Sequence, residues 1–409
     1  MRHRSQLILT AVLTTGALTL SACGSRDEGG DKSGDKSNTT VVIGVDAPLS
    51  GDLSAIGIGI KNSVDLAAKT ANKNKEVPGV TFQIKALDDV ANPSTGGQNA
   101  TTLVGNKDVL GVVGPLNSSV AQSMQKTFNS ANLVEISPAN TAPELTQGAN
   151  YATKKTRQFK TYFRTATTDA LQGPYAAQYA YNTLKLKTVY SVDDKKTYGA
   201  GLARTFRQEF TKLGGKVVAT DHINPDDRDF GAISTKIKNS KADFVYYGGE
   251  YPAGAPLSKQ IKDAGAKIPV IGGDALQSAD YVKLAGKNAE GDFATSVGAP
   301  PEQLDTAKKF IADYQAGGYS DPYETYGALS YDAAWAIIQA VKSVVNDNDG
   351  KLPSDARAKI TEATQKVSFN GVTGQVAFDE YGDTTNRTLT VYQVKGGKHT
   401  PVKTGELEK

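Results

Sequence analysis

Three polar, glycine-rich stretches of this chain carry side chains able to hold a small charged molecule. The first is Gly114-Pro115-Leu116-Asn117-Ser118-Ser119, and the second is Ser137-Pro138-Ala139-Asn140-Thr141-Ala142-Pro143-Glu144. Each follows a β-branched run and opens a helical segment. Hydroxyls and free backbone N–H groups at a helix N-terminus suit an anion such as a carboxylate. Plain capping competes with ligand binding at both, because Thr141 and Glu144 have capping-box spacing and Pro143 suits a first helical turn. The third stretch is Tyr246-Tyr247-Gly248-Gly249-Glu250-Tyr251, with Gly272-Gly273-Asp274 after the next expected strand. A single acid past a strand is more often a solvated loop residue or a cap. Two of them on adjacent strands, Glu250 and Asp274, could together hold an ammonium group. A carboxylate site facing an ammonium site describes the recognition of an α-amino acid.

Other chemistries lack their residues. Beyond the first 22 residues only His222 and His399 remain, far apart and without HExxH spacing, so no metal site is expected. There is no Walker A loop, no GxGxxG after the first strand and no GxSxG elbow, so neither a cofactor nor catalysis is indicated. A formal charge of +3 with no basic stripe gives no reason to expect nucleic acid.

The elements that must position these stretches alternate along the chain. Strands are expected at Val41–Val45, Val80–Leu87, Leu110–Val113, Leu133–Ile136, Thr188–Val192, Lys216–Asp221, Phe244–Tyr247 and Pro269–Gly272. Helical spacing separates them, as in Ile60, Val64, Ala67 and Ala68 and in Leu202, Phe206, Phe210 and Leu213. This alternation predicts βαβ units and parallel sheets with helices on both faces. Two such runs occupy about 41–165 and 167–297. A longer helical region follows near 302–316 and 323–346, where Trp335 reads as core packing, and then a hairpin-like stretch at about 372–395.

The N-terminus belongs to export. Arg2, His3 and Arg4 precede an apolar stretch, residues 7–20, too short to span a bilayer comfortably. Leu20-Ser21-Ala22-Cys23 resembles a lipobox, with cleavage before Cys23 and a lipid on its thiol. Cys23 is the sole cysteine, which excludes a disulfide within the chain and leaves lipidation as its expected role. Residues 24–40 contain no aliphatic or aromatic side chain and read as a flexible tether spanning roughly 20–25 Å. Loss of residues 1–22 removes Arg2 and Arg4 and brings the charge from +3 to +1.

With these residues in place, the chain resembles the leucine/isoleucine/valine-binding family of ABC-transporter substrate-binding lipoproteins, over about 41–395. The strings that carry the likeness include Pro48-Leu49-Ser50-Gly51, Asp88-Asp89, the stretch from Ser137 to Thr146, Gln172-Gly173-Pro174, Tyr198-Gly199-Ala200-Gly201, Asp243 to Gly249, and Phe378 to Asp383. The resemblance implies a periplasmic binding protein type I fold, with two doubly wound parallel-sheet α/β lobes joined by three crossovers near 165–168, 296–300 and 377–380. Lobe one would be 41–166 plus 299–377, and lobe two 167–298 plus 378–409, after a signal peptide at 1–22 and a tether at 23–40. By position, Ser118, Ala139 and Thr141 match residues that hold a ligand carboxylate and part of its ammonium. Asp274 matches an acidic ammonium partner, and Tyr198 an aromatic cover from lobe two. Leu116, Asn117 and Asn140 flank these positions in the same loops.

The chain departs from the pattern where its side chains would meet the ligand's. Glu250 stands where an aromatic is usual, Ile56 replaces an aromatic wall, and Asp321-Pro322-Tyr323 gives no aliphatic-pocket match. A buried carboxylate needs a partner, which for Glu250 would be the ligand ammonium, a lysine such as Lys195, or a second cation on the ligand. The expected function is a lipid-anchored extracytoplasmic binder, closing as a Venus flytrap on an α-amino acid of branched-chain type and delivering it to permease and ATPase subunits. Its alternatives are a non-amino-acid solute (an amide, urea or aromatic acid) or a sensory lipoprotein. A surface hydrolase lacks a recognisable triad, and a DNA-binding repressor of similar fold would carry a helix-turn-helix in place of the export signal.

Overall fold

The computed structural model describes residues 38–408, and the expected signal peptide, Cys23 and most of the tether lie outside that range. Among the described residues fourteen strands are formed. β1 (Thr39–Ala47), β2 (Val80–Asp88), β3 (Val109–Val113), β4 (Val134–Ser137) and β5 (Tyr162–Arg164) make a five-stranded sheet in the order β2-β1-β3-β4-β5. All its neighbours run parallel. β1 starts at Thr39, ahead of the expected end of the tether at residue 40, because Thr39 and Thr40 pair with Val80 and Thr81.

The second sheet contains β6 (Thr188–Asp193), β7 (Lys216–His222), β8 (Phe244–Gly248), β9 (Val270–Gly272) and β10 (Phe293–Ser296). β11 (Ser368–Gly371) and β12 (Gly374–Ala377) form a separate hairpin. β13 (Leu389–Lys395) and β14 (Lys398–Gly405) complete the second sheet in the order β14-β13-β10-β9-β8-β6-β7. β13 runs antiparallel to β10, so one end of this sheet is an antiparallel pair on an otherwise parallel core.

Burial on both faces explains the apolar strands. Along β1, Val41, Ile43 and Val45 meet a core shared with Ile60, Val64 and Ile337. The opposite face sets Val42 against Ala100, Leu103, Val120 and Phe128. In the second sheet the helix Thr197–Lys212 lays Phe206 over Tyr246, with ring centroids 3.6 Å apart and planes 7° from parallel.

The chain leaves the first sheet after Arg164, leaves the second after Ser296, and re-enters it at Leu389. Arg164 and Asp383, on two of these passages, form a buried ion pair at 2.6 Å. The helical region expected at 302–316 is broken into turns at Pro301–Gln303 and Asp305–Ala307 before the helix Lys308–Ala316. The next helix begins at Gly327 rather than near 323, because Glu324 takes a left-handed φ of 53° that no helix interior accommodates.

Candidate functional site

The polar stretches come together between the two sheets, beyond the carboxyl ends of β3 and β4 on one side and β8 and β9 on the other. This is where open α/β sheets place their ligands. Asn117 is the N-cap of the helix Ser118–Ser130, but its side chain makes no capping bond. Its Nδ2 instead donates across to Glu250 Oε1. Glu250 follows β8 as the N-cap of the helix Tyr251–Asp263, and its Oε2 pairs with Lys196 Nζ at 2.8 Å. The expected partner Lys195 is turned away: its backbone is left-handed at φ 65°, and its ammonium bonds Asn224 at 3.0 Å. Burial works against the Lys196 charge, yet Glu250 outweighs it and raises the ammonium's pKa.

Asp274 follows β9 and is 1% exposed. Tyr198 Oη donates to its Oδ1 at 2.7 Å, Tyr326 Oη to its Oδ2 at 2.6 Å, and Gln172 Nε2 to Oδ1 at 3.0 Å. Burial pushes the Asp274 carboxyl up, and the Tyr326 and Tyr198 hydroxyls draw it partly back. Asp169, fully buried nearby, is pushed well up by burial and by the Asp274 charge. Gln172 bridges the two acids by also donating to Asp169 Oδ1 at 2.9 Å. Among the described residues neither acid forms an ion pair, and Asp169 Oδ2 has no hydrogen-bond partner. Two adjoining buried carboxyl groups held by neutral donors are electrostatically prepared for a cation.

The capping explanation for Thr141 does not hold. The short helix Glu144–Gln147 has no side-chain cap, and Glu144 pairs instead with Arg204 at 2.7 Å. Thr141 Oγ1 is buried near Asp169 without reaching hydrogen-bond geometry. Asn140 has a shaping role: its amide donates to Leu116 O at 2.8 Å and accepts from Tyr162 Oη at 2.9 Å, which ties the two loops together.

Leu116, Asn117, Ser118, Ala139, Tyr198 and Glu250 line one interlobe cavity of about 20 Å³, room for about one water molecule. Asn140, Thr141 and Asp274 do not line it: Asp274 is reached through the lining residues Tyr198 and Tyr326, and Asn140 through Leu116. Leu53, Ile56, Ala275 and Tyr326 complete the lining. Tyr326 supplies an aromatic wall that the sequence analysis did not single out. Gln172, named for its likeness alone, proves to be the bridge between the acids. An amino acid exceeds the cavity, so the lobes must part to admit one. Interlobe bonds such as Arg228 to Asp52 at 2.5 Å and Thr197 to Gln122 at 3.0 Å describe a closed arrangement. Among the described residues no cluster of histidine, cysteine and acidic side chains could hold a metal.

Fold and cleft together define a two-lobed binder of small solutes. The chain belongs to the periplasmic binding protein family, whose sequence profile matches residues 40–398. It is similar to the Leu/Ile/Val-binding protein BraC3 of Rhizobium johnstonii, with 31% identity over 88% of this chain and 92% of that one. The leucine-, isoleucine-, valine-, threonine- and alanine-binding protein of Pseudomonas aeruginosa is 29% identical over 87% of this chain and 90% of its own length. Among solved structures, the leucine binding protein LivK of Thermotoga maritima superposes with a TM-score of 0.79 at 27% identity, covering 89% of this chain and 98% of that one. LivJ of Streptococcus pneumoniae, solved with isoleucine, also gives 0.79, at 25% identity over 90% of this chain and 99% of LivJ. The chain is thus a solute-binding protein of the ABC-transporter type, from a family that works outside the cytoplasm.

Proposed function

We propose that this protein captures an α-amino acid in the interlobe cleft and delivers it to an ABC permease. The carrying observation is the buried Asp169–Asp274 pair, which has hydrogen bonds from neutral groups and no cation within ion-pair distance among the described residues. The ligand's ammonium takes that place, beside Tyr198, Tyr326 and Thr141. Its carboxylate lies against Ser118 and the Thr141 N–H, since the Ala139 and Asn140 amides donate to Ser137 Oγ at 3.2 and 2.9 Å. Lobe one comprises 41–166 plus 299–377 and lobe two 167–298 plus 378–409, hinged at the three passages. Closure replaces water around the ligand with fixed donors, which supplies the differential affinity that shifts the population to the closed form. Lipid on Cys23 and the following tether hold the body at the outer face of the membrane, within reach of the permease.

Calorimetric titration with the common amino acids tests this, after unfolding and refolding to strip any carried-over solute. Saturable binding of at least one amino acid, lost together with its α-ammonium or α-carboxylate, is expected. A folded protein that binds no amino acid but takes an amide, urea or an aromatic acid would overturn the reading.

A further inference from the structure

We propose that the amino acid bound here carries a second positive charge, on a side chain of lysine or arginine length, and that this group lodges in an acidic annex beyond Glu250. The inference rests on the amino-acid reading above and specifies its ligand. Leu53 and Glu250 line both the inner cavity and a second cavity of about 450 Å³, so the two adjoin at Glu250. The inner cavity has room for little beyond a small group, whereas the annex is large enough for a long side chain.

The annex is lined by the acids Asp52, Asp194, Asp226 and Glu250 and by one cation, Lys196. Asp52 is paired with Arg228, and Glu250 with Lys196. Asp194 and Asp226 are left over, and of these Asp226 is exposed to solvent whereas Asp194 is the buried one. Asp194 is 1% exposed, its Oδ1 accepts the Lys196 N–H at 3.0 Å, and its Oδ2 has no partner among the described residues. Tyr247 also lines the annex, fully buried, with its hydroxyl unpartnered. The two atoms converge, since a β-carbon placed on Gly249 would lie 2.3 Å from Tyr247 Oη and 3.0 Å from Asp194 Oδ2. On the inner side, Asn117 Oδ1 is another buried acceptor without a partner. An aliphatic side chain would cover these atoms and satisfy none of them. A guanidinium or ammonium brings both the donors and the charge. Burial and the Glu250 charge push the Asp194 carboxyl up to about 7, and the charge of a ligand cation would relieve that strain on its ionised form.

The test is calorimetric titration of the refolded protein with L-arginine, L-lysine and L-leucine. One of the two cationic amino acids is expected to bind at least about tenfold tighter than L-leucine, the scale of one charge-assisted bond. Asp194→Asn is expected to remove most of that preference while leaving L-leucine affinity within about threefold. Lys196→Gln provides a second arm: removal of the resident ammonium frees Glu250, so the arginine-to-leucine affinity ratio should rise. Tightest binding of L-leucine, with both variants shifting all three ligands alike, would overturn the inference and leave the amino-acid reading standing. Failure of these three and of the other common amino acids to bind a cooperatively melting protein would overturn both.

Discussion

At the scale of single residues, Asp274 bears two opposed demands. Three neutral donors hold its carboxyl in a buried site, and burial still favours the protonated form. A ligand ammonium would reverse that preference. Asp274→Asn is therefore expected to weaken amino-acid binding roughly 10- to 100-fold, the worth of a charge-assisted hydrogen bond. The same change should leave the ligand-free protein at least as stable, because it removes a buried acid that lacks a cation. Titration calorimetry and thermal melting of one variant check both halves. Unchanged affinity would place the ammonium elsewhere. Tyr326→Phe removes one donor to Asp274 that comes from the opposite side of the cleft. It should cost several-fold in affinity with little effect on melting.

At the scale of elements, two close approaches set the geometry of the cleft. The helix Thr197–Lys212 sits so near β8 that a β-carbon on Gly199 would lie 2.4 Å from Gly248 O and 2.2 Å from Asp194 Oδ1. Gly199→Ala must push the helix off the strand that presents Glu250. A cost of about 1–3 kcal/mol is expected, read by urea unfolding, along with weaker ligand binding. The second approach joins two interlobe passages. Arg164 is fully buried and pairs with Asp383, which also accepts from Thr146 at 2.8 Å and Gln147 at 2.6 Å. Asp383→Ala strands the guanidinium, and a loss of about 3–5 kcal/mol is expected. A loss under about 1 kcal/mol would show that the passages are held by their backbone bonds, such as Arg164 N–H to Gly382 O.

At the scale of the whole molecule, buried acids dominate the response to pH. Burial raises Asp194 and Glu324 to about 7 and Asp89 and Asp332 to about 6. Each has a folded-state pKa above its unfolded value, so the folded protein holds more protons than the unfolded chain. Its stability then falls as pH rises through the folded pKa. Burial lowers His399 to about 4, which acts in the opposite direction only below its ordinary value of 6.5. Between pH 6 and 8 the ligand-free protein should lose stability on the order of 2 kcal/mol. Urea unfolding at the two pH values measures it, and equal or greater stability at pH 8 would contradict the assignment of buried, protonated acids.

The sequence by itself determined the order of strands and helices, since βαβ units leave a local signature in β-branched runs and helical spacing. The three polar strand ends were legible for the same reason: glycine, proline and hydroxyl residues mark where a strand stops. Short or edge strands such as β5, β10 and β14 were not legible, because three or four residues carry no period and β14 mixes polar with apolar positions. Only the tertiary structure decided which polar groups are left without partners. Thr141 has the spacing of a helix cap, yet its hydroxyl bonds no helix, and Asn117 holds an N-cap position without a capping bond from its side chain. Lys196 rather than Lys195 meets Glu250, with Lys195 itself taking a left-handed backbone that turns the chain there. Tyr326 and Gln172 reach Asp274 from 52 and 102 positions away. Such contacts follow from the packing of two lobes, and hydrogen-bond satisfaction in a cleft depends on every element around it at once.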